Sequence, residues 1–136
     1  MGIFNMEIIE KMPSIEHGED WECLRREIVS RAVRFTGNIV FDFRLLLTDP
    51  ICVRQAGRLL WHAIRAYQPS VLVGPGFGAA PLLFATAVAA LDEGVHVQTL
   101  MVRDQRKSHN QKKWVEGARQ PDNSRAIMID DFMESG

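Results

Sequence analysis

Three short apolar runs, residues 70–73, 95–102 and 125–129, alternate with stretches of helical periodicity. A strand, helix, strand, helix, strand order with short connections has few ways to bury its apolar faces. Parallel connections cross over in a right-handed sense and bring successive strands side by side under their helices. The alternation therefore implies an α/β fold, a parallel, Rossmann-like sheet in a single domain with helices on both faces. In such a sheet ligands bind beyond the carboxyl ends of the strands. The residues that follow each run are thus the first place to look for chemistry.

The remainder of the chain supports that frame. Residues 1–33 read as a helical lead: Pro13 and Gly18 interrupt its first part, and from Glu19 onward Trp21, Leu24, Ile28 and Ala32/Val33 recur at helical spacing. Thr36-Gly37-Asn38 is a turn, and Ile39 to Leu46 reads as a strand interrupted by Asp42 and Arg44. Asp49-Pro50 is a helix start, a capping carboxylate before a proline at the first helical position. That helix runs to about Tyr67 and is stopped by Pro69. Pro81 to Leu91 is apolar nearly all round and reads as a buried helix, and residues 103–118 read as a long polar loop.

Composition narrows the function classes. With 136 residues, 46% hydrophobic and 24% charged, the chain is sized for one globular domain. A net charge of -1 gives no global argument for nucleic-acid or anionic-membrane binding, and neither partner is expected. The most apolar stretch, Ala79 to Leu91, is too short to span a bilayer, and no signal peptide is visible. Cys23 and Cys52 form no C-x-x-C or Cys/His cluster, which points to a reducing compartment without structural zinc. The expected setting is the cytoplasm.

Three segments can carry chemistry. The run Ala126 to Ile129 ends in Asp130-Asp131 and the small turn at Ser135-Gly136. Paired carboxylates accept hydrogen bonds from sugar hydroxyls or hold a hydrated cation, and turn amides cradle phosphate. The same residues equally suit a buried strand ending in a solvated acidic turn. Gly74-Pro75-Gly76-Phe77-Gly78-Ala79-Ala80-Pro81 lies between a strand and a helix, as phosphate-binding turns do. It also suits a tight turn that needs glycine for its backbone angles. Residues 103–117 hold five cations, at 103, 106, 107, 112 and 113, against two anions, and suit a cationic lid or a solvated basic loop.

Together these segments resemble the type I phosphoribosyltransferases, and the orotate phosphoribosyltransferases in particular. Ile127 to Gly136 is similar to the family's acidic strand end and ribose-phosphate loop. Gly74 to Pro81 is similar to its pyrophosphate turn. Arg103, Lys107 and His109, followed by Glu116-Gly117, fall on its flexible-loop pattern, and Thr36 to Arg58 is similar to its upstream segment. The resemblance covers about residues 34–136, which form the phosphoribosyltransferase-like domain. Because Gly136 falls inside the ligand loop, that domain reads as cut at its phosphate-binding loop.

The resemblance implies phosphoribosyl transfer from phosphoribosyl pyrophosphate to a nucleobase, orotate-like, within pyrimidine biosynthesis. Lys107, His109, Asp130 and Asp131 would be catalytic. Arg103, Gly74, Gly76, Gly78, Phe132, Met133, Glu134, Ser135 and Gly136 would bind phosphoribosyl pyrophosphate. Mg2+ would be held indirectly, through the substrate and Asp130 and Asp131. Phe41 and Phe43 are candidates to stack on the base, and a homodimer is implied, since the loop reaches a partner's site in the relatives. Asn110 stands where the family's loop has glycine, and Asp104 and Glu134 depart from its pattern by removing a cation or adding an anion around a polyanion. They favour the alternative of a non-catalytic, nucleotide-sensing or partner-binding module.

Overall fold

The computed structural model describes residues 18–35, 39–41, 43–103 and 114–131. Helix α1 (Glu19–Glu27) places Glu19, Asp20 and Glu22 in its first turn and Arg25 and Arg26 in its last, complementing the helix dipole. It continues through a π-helical turn, Ile28–Ala32, into strand β1 (Val33–Phe35). Strand β2 (Ile39–Phe41) pairs antiparallel with β1, Val33 opposite Phe41. A short helix α2 (Arg44–Leu47) then leads to α3 (Pro50–Ile64), which ends in a 3-10 turn at Arg65–Tyr67. Strand β3 (Val71–Pro75), helix α4 (Ala80–Asp92) and strand β4 (Gln98–Val102) follow. Strands β5 (Val115–Glu116) and β6 (Ala126–Met128) complete the described chain.

The main sheet has the order β5-β4-β3-β6. Strand β3 pairs in parallel with β4, Leu72 beside Thr99, and with β6, Leu72 beside Ile127. The three strands expected from the sequence are thus parallel neighbours, with the last beside the first. Leu72, Met101 and Ile127 share one face of the sheet, and Trp61 of α3 and Leu83 of α4 pack into the same core with them. Both long helices therefore cover one face. On the other, Met128 is 67% exposed, so helices on both faces are not found among the described residues.

The helix start at Asp49-Pro50 forms as its chemistry requires. The Asp49 carboxylate accepts from the Ile51 and Cys52 amides at 3.0 and 3.3 Å. Its other oxygen takes the Arg31 guanidinium at 2.9 Å, which also reaches Glu27 at 3.0 Å. The Arg31 hydrogen bond, then those from Cys52 and Ile51, hold the Asp49 carboxyl below its ordinary value. This ties the lead to the start of α3. Leu24, Ala32, Leu46 and Cys52 form a second small core at that junction.

Local structure departs from the sequence reading at four places. The expected strand 39–46 stops at Phe41 and gives way to α2, because Leu46 turns inward, 2% exposed, in that second core. The helical lead ends at Ala32, and Val33, β-branched and followed by an aromatic residue, pairs as a strand instead. The expected strand from residue 95 begins at Gln98, after the Gly94 turn at φ +79°, although Val97 is buried in the core. Helix α4 is not wrapped on all sides: Phe84, Val88 and Leu91 line an exposed stripe. The sheet and α3 between them cover only the rest of its circumference.

Candidate functional site

The carboxyl end of the sheet collects the candidate residues. Strand β3 runs out into the 76–79 turn, where Gly76 adopts φ +64°, a conformation that favours glycine. The Gly76 amide donates to the Val102 carbonyl at 2.8 Å and fixes the turn to the end of β4. Helix α4 then starts at Ala80 with no side-chain cap and Pro81 in its first turn; the Ala80 amide donates to the Phe77 carbonyl at 3.2 Å, so what the helix offers the turn is the positive end of its dipole. Gly74 is buried for another reason: a Cβ there would stand 3.0 Å from Leu83 Cδ2, so its lack of a side chain seats α4 on the sheet.

On the neighbouring strand, the Ile129 amide donates to the Val73 carbonyl at 2.8 Å, extending the pairing by one bond beyond β6. That bond delivers Asp130 and Asp131 to the same edge as the glycine turn. The Asp130 carboxylate accepts from the Asp131 amide at 2.9 Å. The Asp131 carboxylate lies over the Gly78 backbone: a Cβ on Gly78 would be 2.7 Å from both of its oxygens. The glycine turn and the acidic strand end therefore face one crevice. Phe77, beside Gly78, is 88% exposed, and the sequence reading passed over it because an aromatic residue in a turn carries no motif of its own.

The base of the expected lid is ordered by pairing. Strand β5 lies antiparallel to β4, with Met101 opposite Glu116 and Val102 opposite Val115, and the Arg103 amide donates to the Trp114 carbonyl at 2.8 Å. Residues 103 and 114 thus stand side by side at the end of β4. Two residues are too short a run for β5 to show as a pattern in the sequence. Arg103 Nε sits 2.8 Å from Glu116 Oε1, an ion-pair contact not aligned as a hydrogen bond. Lys107, His109, Phe132, Met133, Glu134, Ser135 and Gly136 lie outside the described residues, as do the lid expected at 104–113 and the turn at 36–38.

A cavity of about 360 Å³ opens beside the two aspartates. It runs between α1, α2 and α3, with Trp21, Leu24, Phe43, Leu46 and Ala56 among its walls. Cys52 is at its inner side, and burial pushes that thiol up, which keeps it a neutral S–H. Of the two phenylalanines expected near a base, Phe43 lines this cavity, and the side chain of Phe41 is not among those described. Among the described residues, no group of three or more His, Cys, Asp or Glu side chains could hold a metal ion, and no helix is long and apolar enough to cross a membrane.

Comparison with known proteins places this arrangement. No family profile matches the sequence. The orotate phosphoribosyltransferase of Aquifex aeolicus (strain VF5) is 24% identical over 127 residues, spanning 85% of this chain and 69% of the relative. The orotate phosphoribosyltransferase of Mycobacterium tuberculosis H37Rv, solved with inorganic phosphate, superposes at a TM-score of 0.66 with 21% identity, over 82% of this chain and 58% of that one. The same protein solved with 5-phospho-α-D-ribosyl 1-diphosphate gives 0.58 and 21%, over 88% and 60%. The chain carries the type I phosphoribosyltransferase fold. It spans about three-fifths of those two solved chains. Within the phosphoribosyltransferase fold, the glycine turn and the acidic strand end occupy neighbouring strand ends, as the resemblance in sequence implied.

Proposed function

We propose that residues 34–136 form a domain that transfers the phosphoribosyl group of phosphoribosyl pyrophosphate to a ring nitrogen of a nucleobase, orotate being the acceptor its relatives are named for. The observation that carries this is the Asp131 carboxylate resting on Gly78, which brings two separately recognised motifs into one crevice. Asp130 and Asp131 accept hydrogen bonds from the ribose hydroxyls, and the amides at 77–79 face the pyrophosphate with the positive end of the α4 dipole behind them. Residues 132–136 supply amides to the 5-phosphate. Arg103, Lys107 and His109 close over the pyrophosphate and exclude water.

In the transfer, the lone pair of the ring nitrogen forms the bond to C1. The bond from C1 to the pyrophosphate oxygen breaks with its electrons on that oxygen, and the released pyrophosphate takes the proton from the ring nitrogen. Positioning and electrostatic stabilisation supply most of the acceleration. Two aspartates at an open strand end fit Mg2+, which keeps waters and substrate phosphates as ligands and needs no all-protein cage. Bound with the substrate, it would neutralise charge on the leaving group. A cytoplasmic homodimer belongs to the same proposal.

The non-catalytic alternative is favoured by one contact, the Arg103 guanidinium already paired with Glu116. Pyrophosphate release from phosphoribosyl pyrophosphate in the presence of a nucleobase panel separates the two. Transfer predicts acceptor-dependent release, with Lys107→Ala lowering kcat by about a hundredfold or more and KM by little, as for a lid cation acting on developing charge. Release that no acceptor stimulates, or that Lys107→Ala leaves unchanged, supports the sensing module.

A further inference from the structure

Arg103 stands just past the paired end of β4, beside the glycine turn. The Gly76 amide donates to the Val102 carbonyl at 2.8 Å, and the Arg103 amide donates to the Trp114 carbonyl at 2.8 Å. Met101 and Glu116 lie directly opposite each other across β4 and β5, so their side chains share one face of the sheet. Met101 packs against the core under α3 and α4, which makes that the helical face. Arg103, two residues beyond Met101, returns to the same face. There its Nε comes within 2.8 Å of Glu116 Oε1. The pair therefore sits on the side of the sheet where the 76–79 turn leads into α4.

The backbone holds Glu116 in place independently of the arginine. Pairing with Met101 fixes it on one side. Gly117 follows at φ +136° and lets the chain press against β4, where a Cβ would fall 2.5 Å from Leu100 Cδ2 and 2.8 Å from the Thr99 carbonyl oxygen. Arg103 Nε is enclosed by protein atoms, while the side chain as a whole keeps 35% of its surface. A guanidinium carries five N–H donors in a rigid fork, four of them on the terminal nitrogens. A carboxylate beside Nε thus restrains the long side chain without using the part of the fork that grips phosphate.

We propose that Glu116 is a positioning residue for Arg103: its carboxylate holds the Nε side of the guanidinium, so that the terminal nitrogens meet the pyrophosphate group already oriented. The proposal rests on the phosphoribosyl-transfer reading of the crevice, in which Arg103 contacts that group. It gives the Arg103–Glu116 contact the opposite sense to a brake, in which the carboxylate competes with pyrophosphate for the same charge. An arginine oriented in advance loses less side-chain freedom on binding. A competing carboxylate has to be displaced first.

The two senses predict opposite signs for one substitution, read by calorimetric titration of the whole chain with phosphoribosyl pyrophosphate and Mg2+. Glu116→Ala is expected to weaken binding about tenfold, and Arg103→Ala at least as much. In an Arg103→Ala chain, Glu116→Ala is expected to change affinity by less than about twofold, because the group it positions is gone. Glu116→Gln keeps the length and an acceptor oxygen, and is expected to bind within about threefold of the unaltered chain. Glu116→Asp keeps the charge but falls one methylene short, and is expected to lie between the glutamine and alanine variants. It serves where alanine prevents folding.

Tighter binding in Glu116→Ala overturns the inference and makes the carboxylate a competitor. Equal weakening with and without Arg103 overturns it as well, since a merely structural carboxylate acts whether or not the arginine is there. So does an affinity that Arg103→Ala, or every Glu116 variant, leaves unaltered. In those cases the transfer reading stands on the titration of the unaltered chain. Failure of phosphoribosyl pyrophosphate to bind that chain ends the reading, and this inference with it.

Discussion

Gly78 and Gly76 are two residues apart and are glycine for different reasons. Gly76 needs a left-handed backbone, whereas Gly78 leaves room for a carboxylate from another strand. The first reason is visible in a strand-turn-helix sequence; the second is not, because Asp131 comes from the far end of the chain. Gly78→Ala is therefore expected to displace the Asp131 carboxylate and cost its charge-assisted hydrogen bonds to the sugar, about 1.5–3 kcal/mol, or roughly ten- to a hundredfold in affinity for phosphoribosyl pyrophosphate. Calorimetry on the folded variant checks this. Unchanged affinity would show that Asp131 does not hold the ribose.

Among the elements, α3 and α4 pack closely at one point. A Cβ on Gly57 would fall 2.5–2.6 Å from the backbone and Cβ of Ala85, so the two helices meet there without side chains between them. Gly57→Ala improves helix propensity by up to about 1 kcal/mol. Overpacking costs about 1–3 kcal/mol, and the close backbone contact puts this site at the upper end. Net destabilisation in urea is the expected outcome, and a stabilised variant would mean that the helices separate freely. Helix α3 was legible because Asp49-Pro50 states its beginning in local chemistry, and β3, β4 and β6 because each is an apolar run bounded by turns. Helix α2 was not: Arg44 to Leu47 follows a strand directly, and what bends the chain is the burial of Leu46 against α1 and α3, a tertiary contact. The stripe Phe84, Val88 and Leu91 was misread in the same way, since an apolar helix shows its hydrophobicity but not how much of its circumference its neighbours cover.

The whole molecule places its chemistry at one edge. The ends of β3, β4 and β6 bring the glycine turn, the base of the 103–114 connection and the acidic pair together, and the apolar cavity opens onto that edge from the helical side. The parallel pairing of the strands was legible in the sequence because parallel crossovers leave few alternatives, and the shared crevice because the segments at 74–81 and 127–136 each resemble a part of one substrate site. The cavity was not, since its walls come from three helices whose contacts no local pattern records. The central claim is that this edge holds phosphoribosyl pyrophosphate, and isothermal titration of the whole chain with that compound and Mg2+ tests it most directly. The expected result is one molecule bound per chain, with a dissociation constant of about 1–100 μM, in the usual range for enzyme substrates, and loss of that binding in Asp131→Ala. A folded chain that binds none at about 1 mM, where even a weak contribution of roughly 4 kcal/mol would register, would contradict it.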